Sequence, residues 1–167
     1  VKKKKPTNPN TRVYIAIGAG AIIIGTVILF SYSLDQSKIL GQRFGDNLAQ
    51  IQADLRNDSN NFESKLSLYE KGNITKQEML VYSDKQIASL NNIMSRYDDL
   101  KPPQSFAQSL ELFRLSTQSE LESDKLIKEW IEAGDNSTKL KSDQLLIQAF
   151  QYETSALDAF SKAKGAS

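Results

Sequence analysis

Neither cysteine nor histidine occurs anywhere in this 167-residue sequence. Their absence removes disulfides, thiolate zinc sites, histidine-ligated haem, c-type haem attachment and every hydrolase built on a nucleophile–histidine pair. It also leaves no cysteine to acylate, so a lipoprotein is excluded. Carboxylate-bridged metal sites in helical bundles take histidines at fixed spacing from a glutamate, and none is available here. General acid–base work by carboxylates alone would need two of them deep in a cleft. The expectation is a protein without cofactor, metal or catalytic residues, and not an enzyme.

Acidic residues are missing from one region only. Lys2, Lys3, Lys4, Lys5 and Arg12 stand before any acid, which leaves 16 basic against 20 acidic residues from Asp35 onward, a net of −4. A domain with that balance is not expected to bind nucleic acid. Between the two regions, Val13 to Leu34 reads VYIAIGAGAIIIGTVILFSYSL, 22 residues without a charge. As a helix this run is roughly 33 Å long, the thickness of a hydrocarbon core. Lysines on one flank put the N-terminal tail (1–12) in the cytoplasm and the rest of the chain outside the cell membrane. Tyr14 and Tyr32 fall near the two interfaces. The rival reading is a cleaved signal peptide, with Ser31 and Ser33 as small residues near a cleavage point. Against it, the apolar run from Val13 to Phe30 is longer than a signal h-region and no alanine-x-alanine site follows.

Within the span, Gly18, Ala21 and Gly25 recur at steps of three and four. They form a small-residue face on which another membrane helix can pack closely. A membrane-protein partner is expected there, besides the lipid bilayer itself.

The remainder reads as all-α, because no segment sustains period-two alternation. Leu40, Phe44, Leu48, Ile51, Leu55, Phe62, Leu66 and Tyr69 make the apolar stripe of a first helix over about 35–71, with Gly72 as its C-cap. Thr75 and Glu78 form a capping box, with Ile74 stapled onto Met79, for a second helix over 75–100. Its stripe is Leu80, Ile87, Leu90, Met94 and Tyr97, and Pro102-Pro103 ends it. A third helix, 103–133, carries Phe106, Leu110, Phe113, Leu121, Ile127 and Ile131 and closes at Gly134. A fourth, 137–164, follows the N-capping residues Asp135, Asn136 and Ser137 and is expected to bury Leu140, Ile147, Phe150, Leu157 and Phe160. Short connections favour antiparallel neighbours, hence an up-down-up-down four-helix bundle growing from the transmembrane helix. Residues 35–44 would form a stalk. Gly41 and Gly45 lie where stalk meets bundle, as a hinge or as two tolerated surface glycines costing about 1 kcal/mol each.

Aligning the helices places Asp58, Ile87, Glu120 and Phe150 in one layer, with Glu153 a turn away. These acids are expected at the core edge, reaching solvent or a lysine. Trp130 is either core or an exposed aromatic anchor for a partner. Asn57, Asn73 and Asn136 each head an N-glycosylation acceptor triplet, the last two in membrane-distal turns.

The segment PPQSFAQSLELFRLSTQSELESDKLIKEWIEAGD, from Pro102 to Asp135, followed by LLIQAFQYETSALDAFSKAK, resembles uncharacterised single-span proteins with an outer helical domain found in ammonia-oxidising archaea. The resemblance covers about 60 residues of the third and fourth helices and implies no activity. It implies an archaeal surface, where glycan acceptors would be at home, and a small subunit beside a membrane enzyme. The function expected is a non-catalytic structural or accessory subunit of a larger membrane complex. The alternative is an extracytoplasmic small-molecule-binding or sensory module that signals through a partner. A contiguous apolar patch on the exterior would favour the first, and a cavity lined by convergent polar groups the second.

Overall fold

A computed structural model describes residues 36–165, with side chains from residue 41. The basic tail, the apolar run 13–34 and its small-residue face at Gly18, Ala21 and Gly25 lie outside the described residues. Among the described residues no helix is long and apolar enough to cross a membrane, and all the regular structure is helical. Four helices follow one another: α1 (Gln36–Glu70), α2 (Lys76–Asp98), α3 (Ala107–Ala133) and α4 (Asn136–Gly165), with a single 3-10 turn at Gln104–Phe106 leading into α3.

The helix ends follow from local chemistry. Gly72 at φ 75° and Gly134 at φ 76° take the left-handed conformation that costs a residue without Cβ nothing. The Gly72 and Asn73 amides donate back to Tyr69 and Leu68 carbonyls, closing the end of α1. At the start of α2 the Thr75 amide donates to Glu78 Oε2 at 2.7 Å while the Glu78 amide donates to Thr75 Oγ1 at 3.2 Å, a reciprocal capping box. Asp135 opens α4, accepting from the Ser137 amide at 2.9 Å and from the Ser137 hydroxyl at 2.7 Å.

The chain runs up and down. Phe44 of α1, Phe106 before α3 and Phe160 near the end of α4 pack together at one end of the bundle, Phe44 stacked on Phe160 and Phe106 tilted against both. At the other end Tyr69 meets Trp130 edge-on, Lys76 donates to the Glu132 carbonyl, and Lys139 pairs with Glu70. The α1–α2 and α3–α4 turns therefore share that second end. α1 is unbroken through Gly41 and Gly45, and Gly45 lies against the Phe160 ring.

Two apolar clusters fill the interior. The larger contains Phe44, Leu48, Ile51, Leu55, Leu90, Ile93, Tyr97, Phe113, Leu121 and Phe160. The smaller, under the shared turns, contains Phe62, Leu66, Met79, Ile127 and Ile131, with Ile74 and Trp130 packed against it. From Phe44 onward, the stripe expected for α1 faces this core, as does that expected for α3, and the Leu40 side chain lies outside the described residues.

Two helices are rotated from expectation. α2 buries Met79, Ser83, Gln86, Leu90, Ile93 and Tyr97, and Leu80, Ile87 and Met94 fall at the margin of its buried face. Ser83 and Gln86 occupy core positions, so a count of apolar residues places the face part of a turn away. The difference is larger in α4, which buries Ser142, Ala149, Ala156, Phe160 and Ala163. Leu140, Ile147 and Phe150, expected in the core, are 64%, 48% and 41% exposed.

The physical reason lies in α3. Ser109, Ser116 and Ser123 recur every seven residues on its buried face, and Ser142, Ala149, Ala156 and Ala163 do the same on α4. Ser116 donates to the Ala149 carbonyl at 2.8 Å and Ser123 to the Ser142 carbonyl at 3.0 Å. An advance of seven on one helix thus meets a retreat of seven on the other, the register of an antiparallel pair. Small side chains let two backbones approach closely, and a helix committed to such a seam carries its large residues elsewhere.

Candidate functional site

Two features stand out from the packing: a polar layer inside the bundle and the apolar face that α4 turns outward. The layer lies between the two apolar clusters. Along α1 the large cluster ends at Leu55 and the small one begins at Phe62, and Asp58 and Ser59 occupy the gap. Glu120 and Asp124 flank Leu121 on α3, and Ser83 and Gln86 lie between Met79 and Leu90 on α2.

Asp58 and Glu120 lie at the core edge as expected, but where solvent or a lysine was expected to meet them, Ser59 donates to Glu120 and Ser89 donates to Asp58. Glu120 is held up at about 7, chiefly because its carboxyl is desolvated and further because Glu63 and Asp58 lie nearby. Glu153, reaching in from α4, is likewise pushed up to about 7 by burial and by Glu120, with Arg56 opposing. Asp124 is 4% exposed and is driven well above the usual carboxylate range by desolvation, then by Glu120. Gln86 favours the Asp124 carboxylate, but Gln86 Nε2 and Asp124 Oδ2 are both buried without a hydrogen-bonding partner. Among the described residues no three metal-capable side chains gather closely enough to hold an ion.

Closer to the end where Phe44 and Phe160 meet, a second polar network links three helices. Gln52 donates to the Tyr97 hydroxyl at 2.6 Å, which lies 2.9 Å from Thr117 Oγ1. Tyr97 is 2% exposed, and desolvation pushes its hydroxyl far above the ordinary phenol range. This network ties α1, α2 and α3 together and reads as a specifying core contact.

On the outside, Leu140 and Ile147 lie on the face of α4 opposite Ser142, Ala149 and Ala156, with Phe150 exposed at its side. The two faces are consequences of one seam. Because the small residues point at α3, the large ones point at solvent.

The remaining sequence candidates fall as follows. Trp130 is half-buried against the small cluster, its ring met edge-on by Tyr69 and covered by Lys139 Nζ at 4.3 Å from the centroid. Asn57, Asn73 and Asn136 are all exposed. Asn73 and Asn136 share the end carrying the two turns, whereas Asn57 sits mid-helix, with the Ser59 hydroxyl of its triplet engaged by Leu55 and Glu120.

Helix counting brings Asp58 and Glu120 together correctly. Asp124 and Gln86 were not singled out, and the usable signal was their position on otherwise buried faces. The α4 exterior was missed because its residues look like core. No protein-family model, curated protein or solved structure matches the chain.

Proposed function

We propose that this chain is a non-catalytic accessory subunit, anchored by the span at 13–34 and presenting its helical bundle outside the membrane to a larger membrane protein. The observation that carries this reading is the exposed Leu140–Ile147–Phe150 face of α4. The largest apolar patch on a protein's surface is often the one that receives a partner.

Three side chains fall well short of the roughly 800 Å² per partner that a stable standard-size interface buries. The α4 face alone is too small to hold a soluble protein or a second copy. It suffices if the partner is already confined alongside, because two linked contacts raise the effective concentration of the second. The small-residue face at Gly18, Ala21 and Gly25 supplies such a first contact. The occupant that fits is therefore the apolar extracytoplasmic surface of a membrane protein whose own helix packs beside this span. In this topology Asn73 and Asn136 stand at the membrane-distal end, accessible to glycan transfer.

The test is gentle solubilisation and native-gel separation, with a photocrosslinker at Phe150 and mass spectrometry of the adduct. One recurrent membrane-protein adduct is expected, lost when Leu140, Ile147 and Gly18 are replaced by serine, serine and leucine. Migration as a lone chain with no adduct would contradict the proposal and favour the sensory or small-molecule-binding reading. That second reading draws on one observation, the unpartnered Gln86 and Asp124 atoms in the layer.

A further inference from the structure

The polar layer gathers several carboxyl groups between the two apolar clusters. α1 contributes Arg56, Asp58 and Glu63, α3 contributes Glu120 and Asp124, and α4 contributes Glu153. α2 faces the same region with Gln86, with Ser89 on Asp58, and with the Tyr97 hydroxyl, on which Glu120 and Glu153 both act. Of these, Glu120, Asp124 and Glu153 are the carboxyl groups that burial holds above the ordinary range. Ionising all three in a region flanked by two apolar clusters is costly, and the common remedy is retention of protons.

The surrounding geometry shows where relief would come from. α3 and α4 are locked together by the serine–alanine seam, and α2 packs on α3 and α1. α1 and α4, by contrast, approach one another only sparsely through their backbones. Long side chains connect them, Phe44 to Phe160 at one end and Glu70 to Lys139 at the other. Between those two contacts Arg56 and Glu153 face each other.

We infer that this layer is a proton-binding site: Glu120, Asp124 and Glu153 take up protons as a group, and their charge state sets how closely α1 and α4 approach. Two geometric observations stand beside charge: Gln86 Nε2 and Asp124 Oδ2 are neighbours in the layer, both buried and short of a hydrogen bond of ordinary geometry, and the α1–α4 side has little close backbone packing. A buried acid whose hydrogen bonding is incomplete is a group that gains by holding a proton. When the three groups are protonated, they can donate as well as accept and the layer closes. When they ionise, mutual repulsion acts across the one gap that backbone packing does not fix.

The experiment uses the full chain in lipid nanodiscs, and the lack of native cysteine makes labelling clean. Infrared spectroscopy of the unaltered protein reads the protonated-carboxyl band, and spin labels at Asn57→Cys and Ser155→Cys read the α1–α4 distance. The band is expected to persist at about pH 6 and to weaken as pH rises from there to about 8, where Glu120 and Glu153 ionise, well above the ordinary range near pH 4. The distance is expected to grow over the same interval, and to stay short at both pH values with Glu120→Gln and Asp124→Asn combined. A band that titrates wholly in the ordinary carboxylate range overturns the proposal, as does a distance indifferent to pH. The band measurement needs no substitution in the layer, so it decides the question even if the double variant fails to fold.

Discussion

The two sides of this bundle are built from different side chains. Around α1 the interior is Phe44, Leu48, Ile51, Leu55, Phe62 and Leu66, large residues that hold their neighbours apart and fill the space between. Between α3 and α4 the interior is Ser109, Ser116, Ser123, Ser142, Ala149 and Ala156, which fill little and let the backbones close in. Both seams are buried, and both contribute to one fold. The difference is that the first leaves a helix with one apolar face and the second leaves α4 with two, a small one inside and a large one outside. The proposed docking surface is the consequence of that second arrangement.

The sharpest way to break the comparison is to make each seam resemble the other. Leu48→Ala removes a fully buried side chain from the large-residue side and should cost about 3–4 kcal/mol, read by thermal or denaturant unfolding in detergent. Ala156→Leu does the reverse on the close seam. Overpacking should cost about 2–3 kcal/mol, where the same change at an ordinary exposed helix position would be near neutral. If Ala156→Leu is silent, the close approach of α3 and α4 is wrong.

The polar layer gives a smaller, pH-dependent effect. Glu120 and Glu153 hold protons up to about 7 in the folded chain, whereas unfolded glutamates release theirs near pH 4.3. Across that window the folded state binds more protons than the unfolded one, so stability falls as pH rises and levels off above neutrality. Asp124, shifted the same way, extends the decline. The total loss from about pH 5 to about pH 8 should be on the order of 2 kcal/mol or more, because both glutamates are only partly buried and share their protons with one another. A melting temperature flat over that range would contradict the burial assigned to these groups. Smallest of all, Leu140→Ser should change the stability of the isolated chain by less than about 0.5 kcal/mol. A core leucine would cost several times that.

How much of this was legible beforehand tracks the same division. α1 could be read because large apolar residues on a large-residue seam recur at steps of three and four, and Gly72, Thr75, Glu78 and Gly134 announced its end and its neighbours' ends. α4 could not be read that way. Counting Leu140, Ile147 and Phe150 as core assumes that size and burial go together, which holds only where helices stand apart. The missing signal was present in the seven-residue recurrence of serine and alanine on both partners, a pattern invisible to any count of apolar residues. In the polar layer, helix lengths sufficed to bring Asp58 and Glu120 to one level. They did not reveal the depth of Asp124 or its approach to Gln86, because α2 was read part of a turn away from its true face.

The most direct measurement takes the orientation and the role of α4 together. Ile147→Cys and Ala149→Cys, made separately in a chain without other cysteines, are exposed to a thiol reagent in the purified protein and in native membranes. The account predicts that Ile147→Cys reacts fast when purified and slowly in membranes, while Ala149→Cys is slow in both. Slow labelling of Ile147→Cys in the purified chain would contradict the packing, and equally fast labelling in membranes would contradict the docking surface.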